Sequence, residues 1–128
     1  MEIDLSGLND AYQEVARSRF SDGCYPARIV KAEVSLSKAD RPVVVWDLEV
    51  QDPANGRTIT VKKYSALQPN ALYYLHGDLT KLGVPLDDIN DLHQALKDLE
   101  GATIEIDLKN DDEGWYKPNF IRLVAKPF

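Results

Sequence analysis

Residues Val43 to Ser65 read VVVWDLEVQDPANGRTITVKKYS. Val44, Trp46, Leu48 and Val50 fall on one side of a period-two pattern, and Ile59 and Val61 on one side of a second. Such alternation marks strands with one buried face, because successive side chains of an extended chain point to opposite sides. Between the two runs, Asp52-Pro53-Ala54-Asn55-Gly56 is a turn: Pro fixes φ, and Asn-Gly accepts positive φ. Strand, tight turn and strand make a hairpin, and that hairpin points to a fold built mainly on β-sheet. Trp46 shares its side with Leu48 and Val50 and belongs to the core. Thr58, Thr60, Lys62 and Tyr64 point outward, opposite Asp47, Glu49, Val43 and Val45 on a half-wet face.

Working outward, Arg28 to Ser37 alternates with Val30, Ala32, Val34 and Leu36 on one side, which predicts a preceding strand. Leu5 to Arg17 carries Leu5, Leu8, Tyr12 and Val15 on one side and predicts an N-terminal helix within an extension over 1–20. After the hairpin the period lengthens. Leu72, Leu75, Leu79 and Leu82 recur at helical spacing until Gly83 and Pro85, with Tyr73 and Tyr74 expected to pack beside the stripe. Ile89, Leu92, Leu96 and Leu99 predict a second helix, started by Asp87 or Asp88 and stopped by Gly101. Ile104, Ile106 and Leu108 define a fourth strand, Asp111-Asp112-Glu113-Gly114 a hairpin tip, and Trp115 to Val124 a fifth strand in which Pro118 marks an edge or bulge.

Three strands, a two-helix insertion over 69–100 and a closing hairpin is the chain order of a five-stranded OB-like β-barrel, read here as one domain over 1–128. A five-stranded sheet with helices on one face is the rival arrangement. With 128 residues, the chain can bury roughly two-thirds of its unfolded surface in one core. A single cysteine, Cys24, leaves no internal disulfide framework and no Cys-rich zinc site. No apolar run reaches a membrane span and the acidic start is no signal peptide, so the expected location is the cytoplasm.

The net charge is −6, unevenly spread. From Asp87 to Glu113, ten acidic residues face two lysines, a local −8; from Arg17 to Lys81, ten basic residues face seven acidic ones, a local +3. An anionic partner is therefore expected on the central strands, with the acidic lobe facing away. Catalytic chemistry is not nominated. His76 and His93 belong to no ligand-spaced motif, Cys24 has no basic neighbour and reads as a half-buried strand residue, and no Gly-rich phosphate loop is present. No metal or cofactor is expected, and the protein is read as a non-enzyme.

Single-stranded nucleic acid requires cations along phosphates and flat rings under bases. The candidates are Arg28 and Lys31 on the first strand, Lys38 and Arg41 around the first loop, and Arg57, Lys62 and Tyr64 on the third strand. On the last strand they are Trp115, Tyr116, Lys117, Phe120 and Arg122, where alternation puts Tyr116 and Phe120 on one side and Trp115 on the other.

The segments FSDGCYPARIVKAEVSLSK, VVVWDLEV with PANGR, LEGATIEI and YKPNFIRL resemble a family of small phage and prophage proteins from replication and recombination cassettes. The resemblance runs from about Phe20 to Val124 and carries no catalytic signature. It implies an OB-fold that binds single-stranded DNA, protecting it or handing it to a recombinase, in a phage-infected or prophage-carrying host. Homo-oligomerisation through the N-terminal apolar stripe is a further expectation. The chain ends Pro127-Phe128, similar to the docking tip of bacterial single-strand binding proteins, but without the acidic run that precedes it there. A second reading is a protein-interaction module that docks a replication or recombination enzyme through the acidic lobe. A third is a small metal-dependent nuclease using those carboxylates.

Overall fold

The computed structural model describes residues 3–9 and 19–126. Five strands form one open antiparallel sheet: β1 (Gly23–Leu36), β2 (Pro42–Gln51), β3 (Thr58–Ala66), β4 (Thr103–Asn110) and β5 (Tyr116–Ala125). Their order is β3-β2-β1-β4-β5. Two helices, α1 (Leu72–Lys81) and α2 (Leu92–Leu99), stand between β3 and β4 in the chain. The expected barrel is thus seen as an open sheet, with β3 and β5 as its two edges. The expected N-terminal helix falls largely on residues 10–18, outside the described residues, as does Pro127-Phe128. The described N-terminal part holds a 3-10 turn at Ser6–Leu8, with Leu5 and Leu8 exposed.

β1 serves both halves of the sheet. Gly23 to Arg28 pairs with β4, and Ala27 to Leu36 pairs with β2. The register with β2 shifts between Ile29 and Lys31. A bulge of this kind moves every later side chain to the other face. Ala27 and Ile29 point inward before it, Ala32 and Val34 after it. Val30 and Leu36, expected inside, are exposed. β5 shifts register twice against β4, and Pro118 sits inward on this edge strand opposite Leu108.

The core lies on one side of the sheet, under the helices. Val44, Trp46, Leu48 and Val50 are fully buried, as are Ile104, Ile106 and Leu108. Leu75 and Leu79 of α1, and Leu92, Leu96 and Leu99 of α2, join the same cluster. Each such side chain contributes about 1.5–3 kcal/mol by leaving water. Gly83 ends α1 at φ +79, a left-handed conformation in which any side chain would be strained. The Asp88 carboxylate accepts from the Asn90 N–H at 2.9 Å and starts the 3-10 turn that leads into α2.

The sheet curls until its edges approach each other. Trp46 of β2 meets Phe120 of β5 edge to face at 4.9 Å between ring centroids. Its indole N–H donates to Ser65 Oγ at 3.1 Å, which satisfies the buried donor. Lys63 of β3 reaches across the gap. Its ammonium donates to the Pro118 carbonyl at 3.1 Å and lies 5.2 Å from the Phe120 ring centroid. Asp78 of α1 sits 3.9 Å from the same nitrogen. One side chain thereby ties β3, β5 and α1 together.

Candidate functional site

The outward faces of β1, β2 and β3 form a continuous surface. The register aligns Arg28 with Glu49 and Thr60, Lys31 with Asp47 and Lys62, and Glu33 with Val45 and Tyr64. Ser35, Val43 and Ala66 make the next row. Most cations here are already matched. Arg28 pairs with Glu49 at 3.7 Å, Lys31 with Glu33 at 3.3 Å and Lys62 with Asp47 at 3.6 Å. Each ammonium or guanidinium is more than half exposed, so each pair is worth at most about 1 kcal/mol. Their charges nevertheless cancel locally. One Asp47 oxygen is buried without a hydrogen bond, and the Lys62 ammonium is its only ion partner among the described residues.

The balance changes at one end of this face. Lys38 and Arg41 lie in the β1–β2 loop, exposed and without an ion pair among the described residues. The loop is held by Ser37, whose N–H donates to the Arg41 carbonyl at 2.8 Å and whose Oγ accepts from the Ala39 and Arg41 N–H groups at 3.3 Å. Asp40, at φ 58, completes the turn. Leu67 N–H bonds to the Pro42 carbonyl at 3.1 Å, which fixes the end of β3 beside the loop. Tyr64 stands in the adjoining rows, 63% exposed, flanked by half-buried Val43 and Val45. Tyr64 thus shares its row with Glu33 and lies at the same end of the face as the loop that carries Lys38, Asp40 and Arg41. An exposed ring on a paired strand, with cations at the same end of the face, is what a stacked base and its phosphate require.

The candidates of the last strand divide differently. Phe120 is 2% exposed and packs against Trp46. As a stacking platform it is corrected to a core residue, because the curl of the sheet turns its side of β5 inward. Tyr116 is half-buried and engaged: its hydroxyl accepts from the Phe20 N–H at 2.9 Å, and the Arg19 guanidinium lies 4.2 Å from its ring centroid. Arg19 also donates to the Gly114 carbonyl. Of the three rings only Trp115 is open, at 69%. Lys117 pairs with Asp111 at 3.8 Å and Arg122 with Glu105 at 3.5 Å. Trp115 is also remote from Tyr64 along β1. Tyr64 aligns through Val45 with Glu33, whereas the β4–β5 hairpin runs beside Gly23. Arg57 lies exposed just before β3, at the opposite end of that strand from Tyr64.

Four features add to the sequence reading or correct it. Lys63 and Asp78 form a half-buried pair. Burial pushes the Asp78 carboxyl above its ordinary value, against the attraction of Lys63 and Lys81. Burial pulls the Lys63 ammonium down, and Asp78 opposes this. Tyr73 and Tyr74, expected to pack beside the leucine stripe, are instead 81% and 72% exposed. Cys24, expected half-buried, is exposed. The acidic lobe gathers Asp87, Asp91 and Asp98 around one open cleft of about 290 Å³. Among the described residues no His, Cys, Asp and Glu group has metal-binding geometry, and no helix is long and apolar enough to cross a membrane.

No protein-family model matches the chain, and no curated protein sequence does.

Proposed function

We propose that this chain is an OB-type domain that binds single-stranded DNA without catalysis, at the Tyr64 end of the outer β1–β2–β3 face. Three features support the barrel reading. The strand order follows the OB pattern, β1 is shared between two neighbours with a bulge at the change of partner, and the helices stand between β3 and β4. The seam between β3 and β5 is bridged by the Lys63 side chain, in keeping with a partly open five-stranded barrel.

The single observation that carries the binding reading is the exposed Tyr64 ring on a paired strand, at the same end of the face as Lys38 and Arg41, which have no ion pair among the described residues. Affinity should be modest, because Arg28, Lys31 and Lys62 must release carboxylates before they meet phosphate. Specificity should be low, because every base has a face that stacks. A role in phage replication or recombination, with a recombinase as protein partner, extends this proposal through the resemblance noted above.

Fluorescence polarisation with labelled oligo-dT at two salt concentrations tests it. Binding should weaken with a log–log slope of roughly −1.4, for two phosphate contacts at about −0.7 each. Tyr64→Ala should weaken it about tenfold, within the roughly 1–3 kcal/mol of one stacked base. Undetectable binding at low salt would favour the second reading, a docking surface for a basic protein partner. The observation behind that alternative is the cleft of Asp87, Asp91 and Asp98, which no lysine or arginine lines.

A further inference from the structure

We infer that a single strand bound at Tyr64 continues over the free edge of β3 into the groove between α1 and the β3–β5 seam, where Tyr73 and Tyr74 stack further bases and Lys81 meets a phosphate. The inference rests on the nucleic-acid reading and extends its footprint. The groove, of about 710 Å³, is lined by Lys63, Tyr73, Tyr74, Asp78, Lys81 and Asn119 among others. That is ample for a nucleotide-sized ligand, since ligand sites span roughly 300–1,000 Å³.

Continuity comes from β3 itself. No strand is hydrogen-bonded to β3 on its seam side, where β5 approaches and the Lys63 side chain bridges the two, so the outer face of β3 adjoins the seam directly. Lys62 and Tyr64 point to the outer face, while Lys63 between them lines the groove. The tyrosines have no structural task that accounts for them. α1 buries Leu75 and Leu79, and the two rings stand clear of that stripe, edge to face with centroids 5.9 Å apart. Neither hydroxyl is hydrogen-bonded among the described residues. Charge selects the occupant. The one carboxylate lining the groove, Asp78, is held by Lys63, and Lys81 has no ion pair among the described residues. A polyanion therefore fits here, unlike at the cleft of Asp87, Asp91 and Asp98.

Oligo-dT of about 5 and about 15 nucleotides, near the two ends of the site sizes seen for OB folds, separates the outcomes. The double variant Tyr73→Ala/Tyr74→Ala should bind the shorter oligonucleotide like the wild type and the longer one about tenfold more weakly. Lys81→Gln should flatten the salt slope for the longer oligonucleotide alone. Tyr64→Ala should weaken both. If the double variant holds the longer strand as tightly as the wild type while Tyr64→Ala does not, the groove inference falls and the Tyr64 reading survives. If no oligonucleotide binds the wild type, both fall together. Loss of self-association in the double variant, with DNA binding intact, would assign the groove to a second copy of the chain and overturn the inference. Because both rings are exposed, melting curves should be unchanged and exclude misfolding.

Discussion

Lys62 and Lys63 are adjacent residues of one type, and they belong to two different regions of the molecule. Lys62 lies on the outer face, where it meets Asp47 at 3.6 Å with more than half its side chain in water. Lys63 points into the seam, with 17% of its side chain exposed, and touches β5, α1 and the Phe120 ring. The outer face keeps its charges solvated, exchangeable and nearly balanced. The seam uses the same chemistry in a drier place, where a lost partner leaves a polar group stranded. Position in the period-two pattern, and not residue type, sets which role each lysine has.

The largest expected effect is in the seam's core. Phe120→Ala should cost about 3–5 kcal/mol in denaturant unfolding, since it opens a cavity against Trp46. A loss below about 1 kcal/mol would mean that the sheet does not curl as described. Next comes the lysine comparison. Lys63→Ala should cost about 1–3 kcal/mol, because it strands the half-buried Asp78 and frees the Pro118 carbonyl. Lys62→Ala should stay within about 0.5 kcal/mol, as an exposed pair does. Equal losses would erase the distinction between the two regions. Smaller still, Tyr64→Ala should leave stability within about 0.5 kcal/mol while it weakens oligonucleotide binding.

The smallest effect is on titration. Burial raises the Asp78 carboxyl above its ordinary value of 3.8. At the β4–β5 hairpin tip, the Trp115 N–H bonded to Asp111, with Glu113 N–H and Lys117 assisting, holds that carboxyl below 3.8. The signs are opposite. Ionised Asp78 disfavours folding, a cost recovered as pH falls through its raised value. Asp111 contributes stability above 3.8 that is lost as pH falls through its lowered value. Carboxyl-carbon NMR titration should therefore find the seam protonated before the hairpin tip; the reverse order would contradict this account of their surroundings.

Much of the scaffold was legible because burial is periodic. The quartet Val44, Trp46, Leu48 and Val50 and the trio Ile104, Ile106 and Leu108 stand where alternation places them. Val30 was misplaced because a bulge adds one residue without altering composition, so the alternating pattern passes through it unmarked. Lys63 and Ser65 were within reach, since they continue the face of Ile59 and Val61, but a lysine there contradicts the habit of reading charge as outward. Phe120 was visible as a partner of Tyr116 on one side of β5. Which side faces inward depended on the curl of the sheet, a tertiary property. Of the candidate site, Tyr64, Lys38 and Arg41 are exposed as anticipated. The pairing of Arg28, Lys31 and Lys62 with Glu49, Glu33 and Asp47 needed the register, which spacing alone does not specify.

The most direct test is an amide NMR titration of the intact chain with a short oligo-dT. The account expects shifts gathered on 37–45 and 62–66, including Arg41, Val43 and Tyr64. Shifts confined to the acidic segment 87–98, or none at low salt, would contradict it.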